Sequence, residues 1–207
     1  MEEVLDVYEL DHNPQRSVIC FDEQPCPLIG AVLAPIPMEP GRVQRQDHHY
    51  KRNGTCCVMI AFEPLAGKRI VEVKERKTKK DYAKFMRKVE QAYPKAEKII
   101  LVQDNLNTHN PSSFYETFSP KSAFRLSQRF QMVYTPKKAS WLNMAEIELS
   151  ALSKQCLDRR IGDIKTFSKE VYAWVGQRNR QKATVSWQFT KNDARDKFGR
   201  FYHSIRK

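Results

Sequence analysis

Asp22, Asp104 and Glu146 are the residues of this chain whose types and places could do metal chemistry together. Asp22 stands where the apolar run Ser17–Phe21 stops, and Asp104 closely follows the apolar run Ile99–Val102, so each is expected at the end of a buried strand. Glu146 falls in the first turn of a helix predicted from about Leu142 to Leu157. If those two strands are neighbours their terminal carboxylates converge, and a helix packed across the same edge adds a third. Clustered carboxylates repel one another, and divalent cations relieve the repulsion. Mg²⁺ suits such a site because it takes oxygen ligands and leaves positions for water and phosphate. Two ions ~3.5–4 Å apart would activate a water or 3′-hydroxyl and stabilise the leaving oxygen of an in-line displacement. Taken singly, each acid has an ordinary reading. An Asp at a strand end is a common turn former, and Asn143-Met144-Ala145-Glu146 is a variant of a capping box. Nor does the helix face choose its acid. Leu142, Ala145, Leu149, Leu152 and Cys156 form the apolar stripe, and at ~100° per residue Glu146 and Glu148 fall equally far from its centre.

The elements that must position these acids follow from the rest of the pattern. After Phe21 the chain is rich in proline (Pro25, Pro27, Pro35, Pro37, Pro40), which predicts a long surface loop. Asn53-Gly54 predicts a turn, Cys57–Phe62 a second strand, and the alternating Arg69–Lys74 a third, giving an antiparallel meander. Thr78 can cap a helix running to about Tyr93, with Tyr82, Phe85, Val89 and Tyr93 on one face. Ile99–Val102 is apolar throughout and reads as a strand buried on both faces. Short helices are predicted over 112–128, a strand over 131–134, and a further helix from Ile164 to Arg180. This order is an α/β layer arrangement, with helices covering a mixed sheet and sites expected at strand ends. It divides the chain into an extension (1–16), a catalytic domain (17–182) and a basic tail (183–207).

The 207 residues are enough to bury a core without disulfides, and 29% charged with 11% aromatic residues argues against disorder. No apolar run approaches the ~18 residues needed to cross a bilayer, and Met1-Glu2-Glu3 does not begin a signal peptide, so no membrane partner is expected. Five cysteines without C-x-x-C spacing fit a reducing cytoplasm. The formal net charge is +12, and residues 154–207 hold 14 Lys and Arg against 5 Asp and Glu. Such an imbalance points to a polyanion, because Lys and Arg release counterions from a phosphate backbone.

Three segments carry a family resemblance. Asp104-Asn105-Leu106-Asn107-Thr108-His109 resembles the D-N-x-x-x-H segment of mariner-like bacterial insertion-sequence transposases, the DDE superfamily endonucleases. Tyr134-Thr135-Pro136-Lys137-Lys138-Ala139-Ser140-Trp141-Leu142-Asn143-Met144-Ala145-Glu146 resembles their Y-T-P-x-x-(A/S)-x-W-L-N-x-x-E segment. Phe21-Asp22-Glu23, with the proline-rich stretch and Arg52-Asn53-Gly54-Thr55 after it, is similar to their first-acid region. The resemblance runs from about residue 17 to 180. It implies a ribonuclease H-like fold with a mixed five-stranded sheet, and a D-D-E triad of Asp22, Asp104 and Glu146 as catalytic metal ligands, which favours Glu146 over Glu148. It further implies Mg²⁺ or Mn²⁺ as two ions, and cleavage and strand transfer of DNA at element ends into a target, usually TA. Relatives carry helix-turn-helix modules before the catalytic domain, so a separate N-terminal polypeptide is an expected partner, and two element ends imply a homodimer acting at the nucleoid. Lys137 and Lys138 are candidates to hold phosphate, followed by Arg159, Arg160, Arg178 and Arg180. His109 is a candidate accessory residue beside the second acid, or simply a hydrogen-bonded histidine at a helix start. Trp141 reads as a packing anchor ahead of a base-stacking platform. The competing readings are another ribonuclease H-like nuclease, which would cut without joining, and a catalytically silent DNA-binding remnant of a split transposase.

Overall fold

The computed structural model describes residues 1–43, 45 and 47–204, with side chains to residue 199. In chain order the elements are α1 (Glu2–Tyr8), β1 (Arg16–Ala31), β2 (Tyr50–Glu63), β3 (Lys68–Lys74), α2 (Lys79–Ala92), β4 (Lys98–Gln103), α3 (Ser112–Thr117), α4 (Pro120–Arg129), β5 (Phe130–Tyr134), α5 (Met144–Gln155), α6 (Ile164–Arg180) and α7 (Lys191–Ser204). A single 3-10 turn, Ser140–Leu142, precedes α5. The strands form one mixed sheet of five in the order β3-β2-β1-β4-β5. β1 and β2 pair antiparallel, as do β2 and β3, while β1, β4 and β5 run parallel.

Strand alternation distributes the core between two faces. Val18, Cys20, Val58, Ile60, Ile100 and Val102 point toward α1, α5, α6 and α7. Their sequence neighbours Ile19, Phe21, Met59, Ala61, Ile99 and Leu101 point toward α2, α3 and α4. β4 is buried from Ile99 to Gln103, as its unbroken apolar run requires. α2 starts with a complete capping box between Thr78 and Asp81, a device that contributes about 0.5–2 kcal/mol.

Two sequence expectations are corrected. β1 does not stop at Asp22 but continues through Pro25 and Pro27 to Ala31, paired with β2. Pairing with β4 ends at Cys20–Val102, so beyond that point β1 has a free edge. Prolines two residues apart lack their N–H on the same side of the strand, and a free edge needs none. Ile29, of the same parity, donates its N–H away from β2 to the Ile161 carbonyl at 2.9 Å. The second correction is Asn53-Gly54, which lies inside β2 and makes no turn. Pro27 pairs with Thr55 and Ile29 with Arg52, so two residues of β2, Asn53 and Gly54, oppose Leu28 of β1, which is a β-bulge. Gly54 takes φ +106° there, a backbone state open to glycine. The chain connects β1 to β2 through residues 32–49, so that part of the meander lacks a short turn.

The C-terminal segment turns back onto the sheet. Gly67, between β2 and β3, lies so close to Lys182 that an added Cβ would sit 2.5 Å from its carbonyl carbon. Val185 donates to the Pro64 carbonyl at 3.1 Å, and α7 reaches α1 through Lys191 with Asp6 and Arg195 with Glu2. Residues 205–207 of the expected basic tail lie outside the described residues.

One buried ionic cluster ties α5 and α6 to the sheet. Arg69 of β3 grips Glu148 of α5 with both ends of its guanidinium, at 2.8 Å each, and Arg178 of α6 adds a third bond at 2.7 Å. The side chains of Arg69 and Glu148 are fully buried. Burial opposes the charge on Glu148, but hydrogen bonds and charge from Arg69 and Arg178 outweigh it and hold the carboxyl below 4.5. Glu148→Gln leaves Arg69 buried without its counter-charge and is expected to cost about 3–5 kcal/mol in urea unfolding at pH 7. Because folding lowers this pKa, the contribution is complete above 4.5 and fades as pH falls through the folded value. The gap between wild type and variant should therefore narrow in acid.

Candidate active site

The parallel register sets the two aspartates side by side. Cys20 pairs with Val102, and two residues further along the chain stand Asp22, within β1, and Asp104, the residue after β4. Cys20 faces α5, so alternation turns Asp22 to the same side and Glu23 to the other. α5 then brings Glu146 to Asp22: both line an open cleft of about 370 Å³ with Gln24, Ser150 and Lys154. Glu148, the alternative acid, is held by Arg69 and Arg178 instead.

Asn143 fixes how α5 meets β1. Its side-chain oxygen caps the helix by accepting from the Ala145 N–H at 3.1 Å. Its amide donates to the Phe21 carbonyl at 2.8 Å and reaches Asp22 Oδ2 at 3.5 Å. One residue thus terminates the helix and aligns it on the strand that carries the first acid. Tyr8 of α1 braces the same point, donating to the Leu142 carbonyl at 2.7 Å.

Asp104 is oriented from the opposite side by His109, whose side chain is 2% exposed. His109 Nδ1 bonds to Asp104 Oδ1, and Nε2 lies 2.8 Å from Glu23 Oε2. Glu23 in turn meets Lys77 at 3.2 Å. A buried scaffold holds the loop between them. Gln103 accepts from Tyr82 Oη at 2.9 Å and donates to the His109 carbonyl at 2.9 Å, which also accepts from Tyr134 Oη at 3.0 Å.

The electrostatics follow from this crowding. Burial raises the Asp22 carboxyl to about 7, and the charges of Glu23, Glu146 and Asp104 add to the rise against the Glu23 N–H that stabilises its anion. Asp104 moves the other way, held below the ordinary aspartate range by the His109 hydrogen bond. Burial works against a charged His109, yet Asp104 and Glu23 outweigh it and push the imidazole up to about 9. Asp22 alone resists ionising, and the carboxylate oxygens of Asp22 and Glu146 in one cleft are hard donors of the kind a divalent cation takes.

The basic candidates divide. Lys137 and Lys138 are exposed in the turn before α5, with Lys138 at φ +63°. Arg159 pairs with Glu170 at 2.5 Å, while Arg160 donates to the His49 and His48 carbonyls at 2.9 and 3.3 Å. Arg178 is bonded to Glu148, and Arg180 is exposed at the end of α6. The structure therefore does not bring these arginines into the cleft that Asp22 and Glu146 line. Sequence reading missed Glu23 as the partner of His109. Its signal was adjacency to Asp22 on a strand, which forces it to the opposite face.

Residues 17–168 match the family model of the DDE superfamily endonucleases. The chain belongs to that family. No curated protein matches the endonuclease in sequence. Its fold is similar to the crystal structure of the Mos1 mariner paired-end complex with Mn, at TM-score 0.58 and 12% identity, covering 88% of this chain and 56% of that one. It is similar as well to the Mos1 strand transfer complex, at TM-score 0.57 and 12% identity over 88% and 57% of the two chains. A pre-cleavage Mos1 transpososome gives TM-score 0.54 and 12% identity over 88% and 61%. The endonuclease thus spans less than two thirds of the Mos1 chains. The mixed five-stranded sheet with its helices is the ribonuclease H-like architecture of that catalytic domain.

Two measurements check the site in the metal-free endonuclease. The His109 ring protons should titrate near 9 by NMR. Folding raises this pKa above the ordinary 6.5, so the stability it contributes is complete below 6.5 and lost as pH climbs through about 9. Asn143→Ala, which removes a helix cap, should lower unfolding free energy by about 0.5–2 kcal/mol.

Proposed function

We propose that this endonuclease is a transposase catalytic domain in which Asp22, Asp104 and Glu146 hold Mg²⁺ or Mn²⁺ as two ions and cut and join DNA. The observation that carries this reading is geometric: Asp22 and Glu146 line one cleft, and Asp22 and Asp104 lie just beyond the paired stretch of the parallel strands β1 and β4. The chemistry that such ions supply when bound is Lewis-acid activation of a water or 3′-hydroxyl and stabilisation of the leaving oxygen.

The chain's own residues do the positioning. His109 occupies one oxygen of Asp104 and leaves the other for a cation. Asn143 locks the Glu146 helix to the Asp22 strand. Lys137 and Lys138 hold the phosphate backbone at the mouth of the site, with Arg159 and Arg180 as outer contacts. The substrates are element ends and a TA target. Mos1 forms paired-end and strand-transfer complexes, and the reading extends that arrangement to this chain as a homodimer acting in the bacterial cytoplasm, with a separate helix-turn-helix polypeptide supplying end recognition.

Asp104→Asn, Asp22→Asn and Glu146→Gln should each abolish Mg²⁺- or Mn²⁺-dependent nicking of labelled DNA. The several kcal/mol that metal stabilisation contributes is roughly 10³-fold or more in rate. Unchanged thermal unfolding would show that the fold survives. An active, folded Asp104→Asn variant sinks the triad. Cutting without joining reassigns the chain to another ribonuclease H-like nuclease, and DNA binding without turnover reassigns it to a silent remnant.

A further inference from the structure

A second cavity, of about 540 Å³, reaches α5 at Ile147, next in sequence to Glu146, and four aromatic rings stand in its lining. That volume is within the ~300–1,000 Å³ of small-ligand pockets. Trp141 from the turn before α5 faces Trp187, with ring centroids 6.3 Å apart and planes only 19° from parallel. Phe189 meets Trp141 edge-on at 5.6 Å, and Phe198 of α7 closes the group at 6.4 Å. The floor on the α5 side is Ile147, the residue after Glu146. Trp141 and Ile147 are 42% and 41% exposed, so the rings that could have closed into a core leave an accessible cleft.

Three of these four rings come from residues beyond 168, where the match to the family model ends. Trp187 is held rigidly: its indole N–H donates to the Phe189 carbonyl at 2.8 Å, and its ring packs on Tyr8 at 5.2 Å. Lys197 lines the opening, and the exposed Lys137 and Lys138 lie four and three residues before Trp141 in the chain. Flat π-surfaces with a lysine at the opening suit a flat aromatic group carried on a polyanion. A nucleobase fits that description, since every base presents a π-face and phosphate takes the lysines. The neighbouring carboxylates act on a strand, and a base next to a cut or a strand end is free of its partner.

We propose that the Trp141–Trp187 cleft binds one unpaired DNA base beside the scissile phosphate, an inference that rests on the DNA-cutting reading of the triad. The base stacks on Trp141 and Trp187, and the adjoining phosphates meet Lys137, Lys138 and Lys197.

The test uses the full chain in EDTA, so that no cleavage is needed. The probes are a duplex with one unpaired 2-aminopurine and the same duplex fully paired. Fluorescence anisotropy gives both affinities, and quenching of 2-aminopurine reports stacking. The unpaired probe should bind roughly 5- to 150-fold more tightly and be quenched, as expected for stacking of a single base. In Trp141→Ala the ratio of the two affinities should collapse to about one. Ile147→Glu, at a half-exposed position that folding tolerates, blocks the cleft from the other side and should collapse the same ratio. Equal binding of the two probes by wild type, or a ratio that survives both variants, overturns the proposal while leaving the triad reading intact. Concentration-dependent dimerisation abolished by the same variants, with no base preference, also overturns it and assigns the cleft to a second copy. Failure to bind any DNA overturns both readings.

Discussion

Asp22 and Glu146 share one cleft, with Asp104 near enough for its charge to act on Asp22, and the fold around them has to hold these carboxylates together against their repulsion. The consequence is visible at Asp22, whose carboxyl is raised to about 7 by burial, with the charges of Glu23, Glu146 and Asp104 adding to it. Parallel pairing of β1 with β4 sets the two aspartates at one level, and Asn143 then locks α5 onto β1. His109 adds a positive charge between Asp104 and Glu23, so the inner face of the cluster is already partly neutralised by protein. On the side toward Glu146, Asp22 feels that carboxylate as one of the charges that raise its pKa.

The two glutamates of α5 show how neighbouring residues of one type are separated by packing. Glu146 and Glu148 lie on opposite flanks of the apolar stripe, and helical spacing alone cannot rank them. Arg69 decides the matter. It lies on the α5 side of β3, buried, and its guanidinium takes Glu148 in two bonds while also donating to the Gly67 and Ala183 carbonyls. A buried arginine without a carboxylate is costly, so Glu148 is committed to structure. Glu146 is thereby free to face Asp22.

The strands and helices with clear periodicity were legible from sequence because one local pattern determined each: the apolar run of β4, the Thr78 cap, the stripe of α6. Pro25-Cys26-Pro27 and Asn53-Gly54 misled because their meaning depends on what lies across the strand. Proline excludes a strand only if both edges are paired, and β1 loses its β4 partner after Cys20. Asn-Gly favours a positive φ, which a bulge uses as readily as a turn. That Asp22 and Glu146 would face one another was legible from their places at a strand end and a helix start, and the family resemblance set Glu146 ahead of Glu148. The Glu23–His109–Asp104 contacts were not, because a strand residue's partner on the far face comes from a distant loop. Nor was the helix at 191–204 foreseen, since its charged face reads like a tail until α1 is set against it.

That last point changes what the basic surplus means. Residues 154–207 carry most of the net +12, and from sequence this looks like charge reserved for a polyanion. Much of it is already engaged. Lys191 meets Asp6 and Glu9, Arg195 meets Glu2, Arg159 meets Glu170, and Arg178 meets Glu148. The acidic α1 and the basic α7 are therefore complementary surfaces, and part of the imbalance serves to fold the two ends of the chain over the sheet. Exposed Lys137 and Lys138 add positive charge from outside residues 154–207, where the chain passes from β5 to the Glu146 helix, and Lys197 of α7 adds it at the cavity that Trp141 and Ile147 line. A cleft lined by carboxylates repels any polyanion at close range, so attraction has to come from its surroundings. Basic residues beside the acids, rather than among them, supply that attraction without neutralising the carboxylates.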